Sequence, residues 1–209
     1  MYRQGSLQAY VDDAAARRPA PGGGSVAALA GALAAAMSEM AANFTAGNKR
    51  FASVEDTIRD MLEDLARCRD ELLDLMDRDV EAYGTVNQAY SLPKDTDEQR
   101  AARRARLQEV LRAAMEVPLQ VMRHCARLSE IADRLADIGN PNLITDVGVS
   151  AILAEGACAA ARLNVEVNLK HLEDAQLRRD ALAEMERLSH QVREHRDSVS
   201  RKVAVHVTA

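Results

Sequence analysis

Tryptophan is absent from this 209-residue chain, and four tyrosines and two phenylalanines make aromatics only 3% of it. Ala, Leu, Arg and Glu dominate instead, with almost no β-branched alternation, so strands are not expected and helix is favoured nearly everywhere. Cysteine is scarce as well. Cys68, Cys125 and Cys158 are odd in number, far apart and free of CxxC or His-flanked spacing, which argues against a disulfide framework and a zinc site and favours a reducing cytoplasm. Met1 to Asp13 lacks the basic stretch and apolar core of a signal peptide. The formal charge is −5, with Arg and Glu interspersed rather than blocked, so no nucleic-acid surface is expected. Long strongly apolar runs are missing too. Ser25 to Asn43 is alanine-rich, but Glu39 interrupts it, and a membrane span normally needs about 20 strongly apolar residues.

What remains is a chain with 47% apolar residues and no low-complexity linker, enough for one core and one domain over residues 1–209. The pattern predicts helices over Ser6–Arg17, Ser25–Thr45, Val54–Tyr90, Asp97–Ala114, Leu119–Ile138, Asp146–Leu172 and Asp174–Val205. Pro93 ends the third, and Pro118 is expected to kink or break the segment around it. The fold class is therefore all-α, an elongated multi-helix bundle. The second helix carries Ala28, Gly31, Ala32, Ala35 and Ala42 at three- and four-residue spacing, a face suited either to core packing within one subunit or to a dimer interface. Leu177, Leu182, Met185, Leu188 and Val192 suit bundle or dimer packing.

The most unusual backbone is Pro19-Ala20-Pro21-Gly22-Gly23-Gly24-Ser25, which runs straight into a helix. Glycine lets a ligand approach the main chain, the prolines stiffen the entry, and Ser25 can cap a helix whose first N–H groups point outward. The loop has neither the Walker Lys-Ser/Thr pair nor the GxGxxG pattern, and no strand precedes it, so nucleotide hydrolysis and dinucleotide binding are not expected.

Asp79 interrupts the apolar stripe Leu65, Leu72, Met76, Tyr83, Val86 and Tyr90 of the long third helix. It cannot pair with its neighbour Arg78 on a helix, so it requires a partner from elsewhere or faces a polar cavity. Both readings stand: a structural salt bridge, or a group facing a ligand. The segment Gly139-Asn140-Pro141-Asn142-Leu143-Ile144-Thr145-Asp146 crowds two amides, a hydroxyl and a carboxylate into one helix–helix turn. Asn142, Thr145 or Asp146 could cap the next helix and Gly139 could be the left-handed stop of the previous one, but one cap needs only one such residue. Asp146 shares a helix face with Leu153, Ala160 and Asn164, which points it inward. Lys49, Arg50 and Lys94 are cations at helix ends, suited to complementing a macrodipole or to meeting an anion. The five histidines are read as structural or exposed, and Asn164 and Asn168 as interhelical hydrogen-bonders.

With these residues in view, the chain resembles the cyclodeaminase/cyclohydrolase family of folate enzymes, which includes the C-terminal domain of formiminotransferase-cyclodeaminase and stand-alone methenyltetrahydrofolate cyclohydrolases. The blocks that carry the resemblance are Pro19–Ala28, Asp79–Lys94, Val117-Pro118-Leu119, and Gly139–Asp146 with the later Asn164-Val165 and Asn168-Leu169. It implies a homodimer that binds a tetrahydrofolate derivative, polyglutamylated forms included, in a cleft built from the glycine loop and the Asn/Asp turn. On that basis Asp146, after Thr145 where the family more commonly has Ser, is the first candidate for the acid/base, and Asp79 is the second. Gly22, Gly23, Gly24, Ser25, Asn140, Asn142 and Thr145 would bind the ring system or the attacking water, and Lys49, Arg50 and Lys94 the anionic tail. No metal or redox cofactor is required beyond the folate substrate.

The Asp79–Lys94 block is most similar to stand-alone cyclohydrolases, and the 209 residues show no formiminotransferase domain. Methenyltetrahydrofolate hydrolysis is therefore the leading expectation, cyclodeamination of formiminotetrahydrofolate the second. A noncatalytic helical dimer is the alternative of another class.

Overall fold

Ser6 accepts a hydrogen bond from the Ala9 N–H and opens the first helix, α1 (Leu7–Ala15). From there the computed structural model, which describes residues 1–208, runs through α2 (Gly23–Asn43), α3 (Glu55–Tyr90), α4 (Asp97–Ile138), α5 (Ile144–Leu169) and α6 (Ala175–Thr208). Short 3-10 turns occupy Tyr2–Gln4, Lys49–Val54 and Pro141–Leu143, and no strand occurs among the described residues. The all-α expectation holds.

Local chemistry explains most boundaries. Thr96 and Gln99 form a reciprocal capping box at the start of α4, and the Asp174 carboxylate accepts from the N–H groups of Gln176 and Leu177 at 2.9 and 3.0 Å to start α6. Pro93 follows the end of α3, as expected. Pro118 does not break its helix: α4 is continuous through it. The lost backbone hydrogen bond and ring clash cost about 3 kcal/mol. Met115, Val117, Leu119, Val121 and Met122 are all buried around it, and each such side chain contributes about 1.5–3 kcal/mol, so packing outweighs the defect.

The centre of the bundle is the antiparallel pair α2 and α5. Ser150 Oγ donates to Ala34 O at 2.7 Å, and the Ser38 and Ser150 hydroxyls meet at 2.8 Å, both fully buried. Such contacts need small neighbours, and Ala35, Ala42, Ala154, Ala157 and Ala161 supply them at 0–1% exposure. This decides between the two readings of the small-residue face: Ala28, Gly31, Ala32, Ala35 and Ala42 pack inside the subunit. A Cβ on Gly31 would already sit 3.1 Å from Leu72 Cδ2 and 3.6 Å from Cys125 Sγ. Helices α3 and α4 close one side of the pair, and α6 lies against α4 and α5 through Met185, Leu188 and Val192.

A second face of the central pair stays open. Val26 and Leu33 on α2, Phe44 just past its end, and Val149, Ile152, Leu163 and Val167 on α5 are exposed, an apolar band along both helices. The stretches Gly23–Asn43 and Pro141–Leu169 are long and apolar enough to cross a bilayer by length and composition, with 56% and 39% of their most apolar windows buried in the fold.

Candidate active site

The glycine loop delivers a helix N-terminus onto a carboxylate. Helix α2 begins at Gly23 with Gly22 as its N-cap, two residues earlier than expected, so Ser25 is not the cap but sits buried in the first turn. Its hydroxyl meets the Tyr10 hydroxyl at 3.0 Å, and its backbone N–H donates to Asp79 Oδ2 at 2.9 Å. The carboxyl group fits there because residue 24 has no side chain: a Cβ on Gly24 would lie 2.1 Å from Asp79 Oδ1 and 2.7 Å from its Cγ. A close approach of two elements, rather than an unusual dihedral angle, is what requires glycine at that position.

Asp79 pairs with no cation among the described residues. Arg78 turns away to Gln120 and toward Asp74. Of the two readings of Asp79, the geometry favours the one that faces a cavity. Burial pushes its carboxyl above the ordinary value and the Ser25 N–H opposes that shift only in part. A carboxyl tuned upward, beside the first-turn N–H groups of a helix, can exchange a proton while a developing negative charge is met by backbone donors.

The cavity it lines holds about 370 Å³, within the range of small-molecule sites. Gly22, Gly23 and Asp79 meet one end. Tyr83, Val86 and Tyr90 of α3 form one wall, and Asn164, Val167, Asn168 and His171 form the other. The apolar stripe of α3 does continue beyond Asp79, but there it loses its cover: Tyr83 and Tyr90 are about half exposed, at 46% and 45%. Asn164 and Asn168 are not interhelical bonders. Each donates to the carbonyl one turn back in α5, Ala160 O and Asn164 O, both at 2.9 Å, leaving the carboxamide oxygens available to the cleft. His171 is exposed, as expected, and also belongs to this lining. The periodicity Asn164, Asn168, His171 on α5 and beyond its end, matching Asp79, Tyr83, Val86, Tyr90 on α3, was the available signal for two facing walls.

The Asn/Asp turn is elsewhere. Asn140 N–H donates to Thr45 Oγ1 at 2.9 Å, just past the C-terminus of α2, and the 21 residues of α2 separate that point from Gly23 by about 30 Å. Within one chain, then, the expected single cleft is two separate places. Gly22, Gly23, Gly24, Ser25, Asp79 and Lys94 lie at one end of the α2–α5 pair; Lys49, Arg50, Asn140, Asn142, Thr145 and Asp146 lie at the other. Asn140 and Gly139 line a larger cavity of about 610 Å³ there, with Ile144, Val147, Arg201 and His206. Asn140 caps the 3-10 turn by accepting from the Asn142 N–H at 3.1 Å. Neither Asn142, Thr145 nor Asp146 caps α5, whose first residue is Ile144. Gly139 is extended rather than left-handed; a Cβ there would collide with Leu135 O at 2.7 Å.

Residues 6–187 match the formiminotransferase-cyclodeaminase family. The chain belongs to that family. Among cyclodeaminase-family relatives, a methenyltetrahydrofolate cyclohydrolase of Methylorubrum extorquens is 40% identical over 183 residues, 88% of each chain. The formimidoyltransferase-cyclodeaminase of Rattus norvegicus is 37% identical over 169 residues, 81% of this chain, which spans only 31% of that relative's length. The crystal structure of a formiminotetrahydrofolate cyclodeaminase from Thermotoga maritima superposes with a TM-score of 0.90 at 32% identity, covering 99% of this chain and all of that one. The family's helical fold and the Asp79 cleft thus occur together in this chain.

Proposed function

We propose that this protein is a methenyltetrahydrofolate cyclohydrolase, converting 5,10-methenyltetrahydrofolate and water to 10-formyltetrahydrofolate, with Asp79 as its acid/base. The observation that carries this reading is the buried, unpaired Asp79 carboxyl lining a ligand-sized cleft at the N-terminus of α2. Support for the substrate comes from the relative in M. extorquens, matched over most of both chains. In the reaction, water adds to the cationic amidinium carbon between N5 and N10 and gives one proton to Asp79. The tetrahedral carbon then collapses, the C–N5 bond breaks, N5 takes a proton, and the hydroxyl proton leaves as the formyl group forms; one proton is released overall. The N-terminus of α2, where Gly22 and Gly23 line the cleft, would supply backbone donors for the developing oxygen charge, and Asn164 and Asn168 would orient the ring system. No step calls for a metal or redox cofactor.

Asp146, Thr145, Asn142, Asn140, Lys49 and Arg50 join this reading through a homodimer. The open apolar band on α2 and α5 suits a second copy of the same chain, since exposed contiguous apolar surface marks an association site. A twofold axis across the middle of that antiparallel pair would lay the Asp79 end of one subunit beside the Asp146 end of its partner, giving two equivalent composite sites. We place the enzyme in the cytoplasm, a reading supported by three free, buried cysteines, and expect neither nucleic acid nor membrane as partner.

A second reading, cyclodeamination of 5-formiminotetrahydrofolate with N10 attacking and ammonia leaving as in a lyase, is favoured by the full-length similarity to the T. maritima cyclodeaminase. The near-ultraviolet absorbance of 5,10-methenyltetrahydrofolate separates the two. Decay faster than the buffer blank establishes the cyclohydrolase; its absence, with ammonia released from 5-formiminotetrahydrofolate, moves the assignment to the cyclodeaminase. Silence in both assays leaves a noncatalytic dimer.

A further inference from the structure

Consecutive glycines, Gly22, Gly23 and Gly24, make the N-cap and opening of α2, and no side chain caps the helix. Glycine has the freest backbone of any residue, so these positions cannot by themselves hold the first turn in one place. Ser25 is the first residue of α2 with a side chain, and it is completely buried. Two contacts hold it: its N–H on Asp79 Oδ2 at 2.9 Å, and its hydroxyl on the Tyr10 hydroxyl at 3.0 Å. Ser25 thus joins α1 to α3 through the helix start that meets the cleft.

Tyr10 is itself firmly placed. It is the one buried residue of α1, and its ring stands edge-on to that of Tyr2, with centroids 5.1 Å apart. Tyr2 is tied down twice: its N–H donates to Asp77 Oδ1 at 2.6 Å and its hydroxyl to Asp13 Oδ2 at 2.9 Å. Asp77 is buried on α3, two residues before Asp79, and also accepts the Arg3 N–H at 3.4 Å. The contacts therefore run from Asp77 through Tyr2, Tyr10 and Ser25 to Asp79, beginning and ending on one helix. The helix that carries the proposed acid/base also anchors the segment that fixes its hydrogen-bond donor.

We infer that Tyr10 is a positioning residue for the chemistry at Asp79: its hydroxyl holds Ser25, and Ser25 holds the carboxyl at the start of α2. The inference rests on the proposed role of Asp79. Tyr10 is not part of the cleft lining and acts only through Ser25. The Ser25 N–H favours the ionised carboxyl and opposes the burial that pushes its pKa up, so freeing Ser25 lets burial push it higher. Tyr83, Tyr90 and His171 share the cleft lining with Asp79, while Tyr10 lies within range of the Asp77 and Asp79 charges. Burial raises the Tyr10 hydroxyl above its ordinary value, so it stays protonated through the assay range.

The NMR resonance of the Asp79 carboxyl carbon, followed against pH in the full chain, reads the proton directly and needs no substrate. Tyr10→Phe keeps the ring against Tyr2 and removes only the hydroxyl; Ser25→Ala removes the other half of the same contact and keeps the N–H. Each is expected to raise the Asp79 midpoint by about one pH unit, the lower end of what full loss of a hydrogen bond to a carboxylate gives. The double variant should go no further, because both changes delete one bond. In the turnover assay the acid limb of kcat/KM should move up with the midpoint, costing about tenfold on the acid side and recovering as pH rises. Ser129→Ala is the structural control: it deletes an equally buried hydroxyl, 3.0 Å from His195 Nδ1 between α4 and α6, and should leave the Asp79 midpoint unmoved. Ser25→Ala carries the test if Tyr10→Phe does not fold. An unchanged midpoint in either folded variant, a rate loss uniform across pH, or an equal shift in Ser129→Ala overturns the inference. A shifted midpoint in a protein that turns over neither folate keeps Tyr10 as the group that positions Asp79 and removes the reaction.

Discussion

Replacing Gly24 with alanine tests the site at its tightest point. On an ordinary helix the change would stabilise, since glycine is worse than alanine in a helix interior by about 0.5–1 kcal/mol. Here the added methyl would stand 2.1, 2.7 and 2.9 Å from Asp79 Oδ1, Cγ and Oδ2, all below any tolerable contact. The carboxyl group has to swing away and release the Ser25 N–H, a hydrogen bond to a charged group worth about 1.5–3 kcal/mol. The steric demand therefore exceeds the propensity gain, and the net change is a loss of about 1–2 kcal/mol with Asp79 displaced from the α2 N-terminus. Displacement of the proposed acid/base should lower kcat by about 10²-fold, the lower end of what such a group contributes. Gly84→Ala is the matched control, because nothing lies within 4 Å of a Cβ at that helical position. The assays are urea unfolding followed by circular dichroism, and initial rates on 5,10-methenyltetrahydrofolate. A Gly24→Ala protein with normal stability and kcat would refute the reasoning that Gly24 exists to admit Asp79.

Gly84→Ala itself should gain about 0.5–1 kcal/mol in urea unfolding, since the position is helical and unobstructed. Asp79→Asn should abolish most turnover, by about 10²- to 10⁴-fold in kcat, while making the protein more stable at pH 7. The folded-state pKa of Asp79 is raised by burial, so ionisation penalises folding as pH climbs through the ordinary carboxyl value; the stability gain of the variant should shrink toward acid and vanish below about pH 4. The same shift places the acid limb of kcat/KM in the wild type above the usual carboxylate range, as a pH–rate profile would record. Leu33→Glu, at an exposed apolar position on α2, should leave helicity intact and yield monomers in sedimentation equilibrium, and an unchanged dimer would exclude the α2–α5 face as the interface.

The helices were legible because their signals are local. Ser6, Thr96 with Gln99, and Asp174 announce starts, and the 3.6-residue stripe through Leu65, Leu72 and Met76 announces a buried face. Pro118 is misleading because its cost is local and visible, while the packing that overrides it comes from helices distant in sequence. Asp79 stood out for the same reason the helices did, as a charge on an apolar stripe. That it meets Ser25, 54 positions away, could not be read from spacing. The Asn/Asp turn shows the opposite limit: chemically crowded residues drew attention, but the length of α2 keeps them from the glycine loop in the same chain.

The two oxygens of Asp79 divide the work between them. Oδ2 accepts the Ser25 N–H and so fastens α3 to the first turn of α2, while Oδ1 accepts no hydrogen bond among the described residues. Hydrogen-bond acceptance needs only a lone pair, which a carboxylic acid protonated on Oδ1 still offers at Oδ2. The fastening therefore survives in either protonation state. In the proposed reaction a proton can come and go at one oxygen through every turnover without unfastening α3 from α2, so the same side chain would serve as a permanent rivet and a reversible base.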